Sequence, residues 1–448
     1  MTKQNLFKPR SRVAIQLDNS PLWLKLDKIL TNNNAIIAPI PHFFSRQQIV
    51  YMVNALGVDT VICHSNVQEF WQEQGFSFST LINNEIVILE KRIPKYPIIP
   101  TSTHKITFTS GTTSEPKGVC LSLKHLNRVG KSLAEVTQQF AVKKHLCLLP
   151  LSVLLENMAA VYAANNTDIE VITPSLAEIG LVGSSSLDVM KMVKTIQKHQ
   201  PDSIILMPQM LKALVFVCEN HGIKLPFLKF IAVGGAVCSK GLLSKARQLN
   251  LPVYEGYGIS ECGSVISLNA SEKSDGSVGH VLPHQQLSLA KDGEILCEGE
   301  LFLGYLGQEP NNEKTFKTGD IGRFDEDNNL HIVGRKKNVI INSFGRNISP
   351  EWIEAELLAL DEIRQVVIYG EARPFLTAIC VSPCDKKIIL TAIEEVNKTL
   401  PDYAQVKEII SAEVFTSENH MLTASGKTKS PTIFEHYKEQ LENIYEDK

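Results

Sequence analysis

Residues 108–119 read FTSGTTSEPKGV and combine hydroxyl side chains, glycines and a lysine within one short segment. Glycine lets backbone N–H groups approach phosphate oxygens, hydroxyl groups are further donors, and an ammonium group supplies positive charge. The pattern therefore predicts a loop that binds the triphosphate group of a nucleotide. The hydroxyl donors are Thr109, Ser110, Thr112, Thr113 and Ser114, the first glycine is Gly111, and the cation is Lys117.

The apolar run Ile106–Phe108 before this phosphate loop predicts a strand, and Ser122–Phe140 after it predicts a helix. The loop is thus expected at the edge where α/β sheets bind ligands. It is not a Walker loop, because Lys117 precedes Gly118 and neither Ser nor Thr follows it in the magnesium position. The alternative is a polar surface loop, which would not need so many phosphate donors in a row.

Four further segments follow in order along the chain. Together with the phosphate loop they resemble the adenylate-forming superfamily, which includes acyl-CoA synthetases, adenylation domains of peptide synthetases and beetle luciferases. The GRKKN, ISPEWIE and ENxxLT elements are most similar to the long-chain acyl-CoA synthetase branch. The segments are YGISE at 257–261, TGD at 318–320, GRKKNVIINSFGRNISPEWIE at 334–354 and ENHMLTASGKTK at 418–429.

The resemblance implies that a carboxylate attacks the α-phosphorus of ATP, expels pyrophosphate and leaves an acyl adenylate. Such transfers need charge neutralisation more than covalent help. Lys117 would hold the β- and γ-phosphate oxygens, while Glu261 and Thr112 would hold Mg²⁺, which takes oxygen ligands. Lys427 would lie between the substrate carboxylate and the α-phosphate and stabilise the developing charge. Lys117, Glu261 and Lys427 are therefore the expected catalytic residues.

The same resemblance implies a nucleoside site. Asp320 would accept hydrogen bonds from both ribose hydroxyls, with Arg335 as a second ribose contact, and adenine would stack on Tyr257. Taken singly, Asp320 is also a good turn residue, and Tyr257 is also typical of a core. The other expected nucleotide contacts are Gly235, Ala236, Glu255, Gly256, Gly258 and Ser260.

A second step, transfer of the acyl group to a thiol, is implied by the hinge segment. Lys337 matches the pivot about which a small domain rotates after adenylation. Gly345, which has no Cβ, fits beside a channel for a phosphopantetheine arm. Coenzyme A and an acyl carrier protein both present that arm, and the sequence does not choose between them.

The acyl site is expected in Leu149–Tyr162, where relatives carry a histidine and an aromatic gate. Val153 and Leu155 stand at those places, which favours an aliphatic or otherwise apolar acid. No acidic pair is present to hold an α-ammonium group, so an amino acid substrate is disfavoured. The alternative is that these residues are plain core. Met207, Val233 and Ile259 complete the expected substrate site.

Strand-like and helix-like segments alternate, which predicts an α/β fold with mostly parallel, helix-covered sheets. A β-rich subdomain is expected from 272 to 306, and a boundary at the charged run 335–337 divides the chain into an ATP- and acid-binding domain, 1–336, and a mobile α/β domain, 337–448, that carries Lys427. The predicted strands are Val13–Leu17, Ala35–Pro39, Thr60–Cys63, Ser203–Met207, Phe230–Gly234 and Val366–Tyr369, and the helices are Pro21–Leu30, Ser45–Leu56 and Trp352–Leu360.

Composition excludes several classes of function. The net charge of −3 and the lack of a long basic run disfavour nucleic acid as a partner. Nine cysteines without CxxC pairs indicate a reducing compartment, so we expect a cytoplasmic protein without a transmembrane segment. Two alternatives to a CoA ligase stay open: an acyl-carrier-protein ligase, and a non-catalytic nucleotide-binding protein.

Overall fold

The computed structural model describes residues 7–109, 116–182, 186–271, 276–423 and 426–446. The amino-terminal part alternates strands with helices, as the sequence predicts. Its strands are β1 (Arg12–Gln16), β2 (Ile36–Pro39), β3 (Thr60–His64), β4 (Ser77–Leu81), β5 (Ile86–Glu90), β6 (Thr103–Thr109) and β7 (Lys117–Ser122), and its helices are α1 (Pro21–Asn32), α2 (Arg46–Leu56), α3 (Gln68–Glu73) and α4 (Leu123–Thr137).

The central strands of the first sheet are parallel, in the order β6-β2-β1-β3. They are almost fully buried, because helices cover the sheet. Helices α1 and α2 each begin at a side-chain cap. Ser20 caps α1, whose first residue is Pro21, and Ser45 with Gln48 forms a capping box on α2. Local sequence therefore sets where each crossover helix begins.

The phosphate loop connects β6 to β7, and these two strands form an antiparallel hairpin in which Thr109 pairs with Lys117. This corrects the expected order of strand, loop and helix, since β7 lies between the loop and α4. In the short run KGVCLS, apolar and polar residues do not alternate clearly enough to predict a strand. The strand is stabilised by pairing with β6 on one side and with residues 304–305 on the other. Such long-range pairing is not visible in the local sequence.

A second, mostly parallel sheet follows, in the order β16-β15-β14-β13-β12-β8-β9. It packs against helices through an apolar core. Its strands and the adjoining β10 and β11 are β8 (Lys144–Leu146), β9 (Glu170–Ile172), β10 (Leu181–Val182), β11 (Ser186–Leu187), β12 (Ser203–Leu206), β13 (Phe230–Val233), β14 (Val253–Tyr257), β15 (Ser267–Leu268) and β16 (His280–Val281); the helices are α5 (Leu154–Asn157), α6 (Val189–His199), α7 (Pro208–His221) and α8 (Lys240–Gln248).

The β-rich region is an antiparallel sheet in the order β17-β18-β20-β21, and it extends beyond the predicted end at 306 to Arg335. One short strand, β19, leaves this region and pairs with β7 of the first sheet. The strands are β17 (Gln285–Leu289), β18 (Glu294–Gly299), β19 (Gly304–Tyr305), β20 (Thr315–Phe324) and β21 (Leu330–Arg335).

The carboxyl-terminal region is a small α/β unit with its own core, as predicted. Across the described parts of the chain, no helix combines the length and the apolar composition needed to cross a bilayer. The elements are β22 (Ile340–Ile341), β23 (Asn347–Ile348), β24 (Gln365–Tyr369), β25 (Leu376–Val381), β26 (Val406–Ser411), α9 (Pro350–Leu358), α10 (Lys386–Asn397), α11 (Ser430–His436) and α12 (Lys438–Glu446).

A buried ion pair joins α1 to β6, the strand that leads into the phosphate loop. Lys105 Nζ lies 2.7 Å from Asp27 Oδ2, and both side chains are almost fully buried. The ammonium group also donates to Asn157 Oδ1 at 2.6 Å and lies 4.8 Å from the ring centroid of Tyr162. Burial lowers the pKa of Lys105, and the charge of Asp27 opposes this shift.

Replacing Asp27 by Asn should leave the Lys105 charge buried without its counter-ion. We expect a loss of about 3–5 kcal/mol in the free energy of unfolding, measured by denaturant titration. The matched control is Glu178→Gln, which breaks the exposed Lys198–Glu178 pair of 2.7 Å and should cost less than about 1 kcal/mol. Equal losses in the two variants would show that burial does not determine the strength of the Asp27 pair.

Candidate active site

Asp320 lies on β20 at the meeting point of three segments. Its Oδ2 accepts a hydrogen bond from the Tyr257 hydroxyl at 2.6 Å, and its Oδ1 lies 2.8 Å from Arg335 Nε. Arg335 is paired with Asp320 across the antiparallel β20–β21 ladder and also donates to the Thr318 carbonyl at 3.2 Å. Burial raises the pKa of Asp320, while the Arg335 charge and the Tyr257 hydrogen bond oppose the rise. The carboxylate is thus oriented by two fixed donors.

Lys427 lies in a tight turn in which Gly426 has a φ of 79°. Its backbone N–H donates to Thr423 Oγ1 at 3.0 Å, so the turn is held by local hydrogen bonds. The residue is exposed, and the charges of Asp320, Arg335 and Lys337 act on its ammonium group. Its pKa is lowered, first by desolvation and then by the positive charge of Arg335, while Asp320 opposes the shift. Lys427, from a distant part of the chain, is therefore within electrostatic range of the Asp320–Arg335 pair.

Lys117 and Glu261 both contact a residue that the sequence did not single out, Tyr305. The Tyr305 hydroxyl donates to Glu261 Oε1 at 2.8 Å, and Lys117 Nζ lies 5.6 Å from the centroid of the Tyr305 ring. Tyr305 is on β19, and no local motif marks it; its position results from the pairing of β19 with β7. Burial raises its phenol pKa, and the Glu261 charge adds to the shift.

The phosphate loop itself is only partly described. Thr109 ends β6, and its hydroxyl lies 3.5 Å from the Lys117 carbonyl. Ser110, Gly111, Thr112 and Thr113 lie outside the described residues, so their expected phosphate and Mg²⁺ contacts remain predictions.

The expected adenine-binding segments follow β13 and β14, which are parallel neighbours with Val233 opposite Glu255. Gly235 has a φ of 81°, and a Cβ there would lie 2.8 Å from Met207 Cε. The segments therefore meet at one edge of the sheet. They contain Gly235 and Ala236 after β13, and Glu255, Gly256, Tyr257, Gly258 and Ser260 in and after β14.

The expected acyl-site residues do not all share one cluster. Leu155, Met207 and Val233 belong to the apolar core of the second sheet. Ile259 packs with Tyr257 against the antiparallel sheet, and Val153 is partly buried just before α5. Two readings therefore remain for these residues: substrate contact and plain core.

The segment that carries Val153 and Leu155 is anchored by a buried carboxylate, Glu156. Glu156 Oε1 lies 2.7 Å from His145 Nε2, and Oε2 accepts from the Leu149 N–H at 3.0 Å. With Cys147, these groups place their ligand atoms within 4.8 Å of one another. A metal ion would have to replace the hydrogen bonds, so we assign the group to anchoring of the segment.

In the expected hinge segment, the residue before the predicted pivot is held by ion pairs, whereas the pivot residue itself is exposed. Lys336 Nζ is bound by Asp292 Oδ2 at 2.6 Å and by Glu294 Oε2 at 2.8 Å. Lys337, the next residue, is exposed. Gly345 lies between β22 and β23 with a φ of 71°, and a Cβ there would meet no atom within 4 Å. The backbone at Gly345 has open space beside it, and the expected role of this residue in a pantetheine channel stays a prediction.

A family model for the AMP-binding enzyme matches residues 3–306, and a model for the AMP-binding enzyme C-terminal domain matches residues 337–448. The chain belongs to the AMP-binding enzyme family. Long-chain-fatty-acid–CoA ligase FadD15 of Mycobacterium bovis is 30% identical over 246 residues, which are 47% of this chain and 41% of that protein.

Fatty acyl-CoA synthetase B of Dictyostelium discoideum is 25% identical over 436 residues, covering 78% of this chain and 64% of that protein. The chain thus spans less than two thirds of the length of these family members. The fold is similar to o-succinylbenzoate CoA synthetase (MenE) from Bacillus subtilis in complex with the acyl-adenylate intermediate OSB-AMP. That similarity has a TM-score of 0.73 at 18% identity and covers 95% of this chain and 88% of the other. The α/β fold expected from the sequence is therefore confirmed.

Gly258 is essential to the loop that carries Glu261, because a Cβ at 258 would lie 1.8 Å from the Ser264 carbonyl oxygen. We expect Gly258→Ala to lower the free energy of unfolding by about 2–4 kcal/mol, as measured by denaturant titration. Gly241→Ala is the control, since its Cβ would approach nothing closer than 3.9 Å. Unchanged stability in Gly258→Ala would mean that this loop relaxes freely.

Proposed function

We propose that this protein is an ATP-dependent acid–thiol ligase that forms an acyl adenylate and transfers the acyl group to a phosphopantetheine thiol. The single observation that carries the proposal is the buried Asp320 carboxylate, which Tyr257 and Arg335 orient and whose charge acts on Lys427. An oriented carboxylate within electrostatic range of a cation suits a site that binds a ribose and stabilises charge at the α-phosphate. Membership of the AMP-binding family supports the same chemistry.

Asp320, held by Tyr257 and Arg335, would accept hydrogen bonds from the ribose hydroxyls. Lys427 would stabilise the negative charge that develops as the substrate carboxylate displaces pyrophosphate. Lys117 would bind the β- and γ-phosphates.

The carboxylate of Glu261 suits Mg²⁺, because it is an oxygen ligand that Tyr305 orients at 2.8 Å beside Lys117. The ion, when bound, neutralises phosphate charge. Thr112 is the second proposed ligand.

For the acid, we propose an apolar carboxylic acid of the fatty acyl class. Two members of the family with related sequences are named as fatty acyl ligases, whereas a structure of the same fold holds a succinylbenzoyl adenylate. Val153 and Leu155 support the apolar class, because neither offers a charge to a second carboxylate. Coenzyme A is the proposed acceptor, and an acyl carrier protein is the alternative.

We also propose a domain boundary after Lys336 and a cytoplasmic location. The ion pairs of Lys336 with Asp292 and Glu294 support the boundary, since they fix the chain up to that residue. Nine free thiols support a reducing compartment.

The test is acid-dependent exchange of pyrophosphate into ATP by the purified protein, with a panel of fatty, aromatic and amino acids. Thioester formation is then measured with coenzyme A and with a holo acyl carrier protein. Exchange with apolar acids and transfer to coenzyme A would support the proposal. A protein that binds ATP without exchange would be a non-catalytic member of the family.

Lys427→Ala should block formation of the adenylate from acid and ATP. We expect a loss of about 10²-fold or more in pyrophosphate exchange, because a charge at the reacting centre is removed. Thiol transfer from a pre-made acyl adenylate should stay largely intact, as measured by thioester formation. Equal loss of both half-reactions would contradict the assigned role.

Glu261→Gln should raise the Mg²⁺ concentration required for exchange by roughly thirtyfold, because losing a charged contact costs about 2 kcal/mol. Tyr305→Phe keeps the ring beside Lys117 and should produce a smaller shift in the same direction. Glu298→Gln, on β18, is the control and should leave the Mg²⁺ titration unchanged. If the Glu261 variant titrates like the parent, Glu261 is not a metal ligand.

A further inference from the structure

Lys212, on α7 of the second sheet's helical layer, binds the end of α9 in the carboxyl-terminal unit. Its ammonium group donates to the carbonyls of Leu358 and Leu360, both at 2.7 Å, and lies 3.4 Å from the Ile363 carbonyl. The last carbonyls of a helix lack partners within the helix and carry partial negative charge, so a cation is well placed there. One side chain of the larger unit, which precedes the hinge segment, thus caps a helix of the carboxyl-terminal unit.

The Glu356 carboxylate lies on the same turn of α9. Burial raises its pKa, while the backbone amide and the charge of Lys240, the first residue of α8, oppose the rise. This end of α9 is therefore within electrostatic range of the start of α8.

The hinge lies between these contacts and the rest of the molecule. Lys336 is tied to Asp292 and Glu294, and α9 begins only after Lys337 and the β22–β23 hairpin. Any large rotation about Lys337 must therefore break the contacts of Lys212. In the observed orientation, the charge of Asp320 acts on the ammonium group of Lys427.

We infer that Lys212 is a positioning residue for the adenylation step: by binding the carboxyl-terminal end of α9, it holds the small domain where Lys427 faces the nucleotide site. The catalytic consequence of this inference rests on the proposed function. The effect of Lys212 on the orientation of the small domain does not. Because the partners are backbone carbonyls, the contact requires a long, positively charged side chain at position 212. It does not require particular side chains at positions 358–363.

The experiment compares Lys212→Met, which keeps the apolar stem, with Lys212→Arg, which keeps the cation, in the full chain. Lys198→Met, an exposed lysine paired with Glu178, is the matched control. We expect Lys212→Met to lose about tenfold in pyrophosphate exchange while retaining thioester formation from a pre-made acyl adenylate. Arginine should restore exchange, and the control should match the parent. Equal loss in both half-reactions, or no loss, would overturn the inference.

Hydrogen exchange measured by mass spectrometry gives a readout that does not depend on activity. Peptides that span residues 355–363 should exchange about tenfold faster in Lys212→Met than in the parent, because release from Lys212 exposes the end of α9 to solvent. Lys198→Met should exchange like the parent. Unchanged exchange at residues 355–363 in a folded Lys212→Met would overturn the inference, even if the proposed ligase activity itself is absent.

Discussion

The hydrogen bond and the ion pair of the Asp320 carboxylate hold the segments of the candidate site together. Its two oxygens bind Tyr257 from β14 and Arg335 from β21, so one side chain joins the second sheet to the β-rich region. Burial raises its pKa, and the Arg335 charge and the Tyr257 hydrogen bond oppose that shift. The charge of the same carboxylate acts on Lys427 of the small domain. The separate segments therefore form a site only while this carboxylate stays oriented.

The two sides of the proposed hinge are held differently. Before it, Arg335 and Lys336 are fixed by three carboxylates of the larger unit. After it, the carboxyl-terminal end of α9 is held by Lys212. The hydrogen bonds of Lys212 are made and lost together, because they depend on the position of a whole helix. Such an arrangement suits a domain with more than one orientation.

Much of the fold was predictable from local patterns. Apolar runs such as Thr60–Cys63 and helix-like segments such as Ser45–Leu56 identified the alternating elements, and the α/β class followed. The strand β7 was missed, because its stability comes from pairing with β6 and β19. For the same reason Tyr305 was missed, since no spacing in the sequence relates it to Glu261. Lys212 was likewise invisible, because its partners are backbone carbonyls. The features that were missed all depend on contacts between residues that are far apart in the sequence.

The most direct test is the product formed from ATP when no thiol is present. The protein is incubated with ATP, Mg²⁺ and a mixture of fatty acids, then denatured, and its released small molecules are identified by mass spectrometry. We expect pyrophosphate and an acyl adenylate that remains bound until denaturation. Release of ADP and phosphate, or the absence of any adenylate in a folded protein that binds ATP, would contradict it.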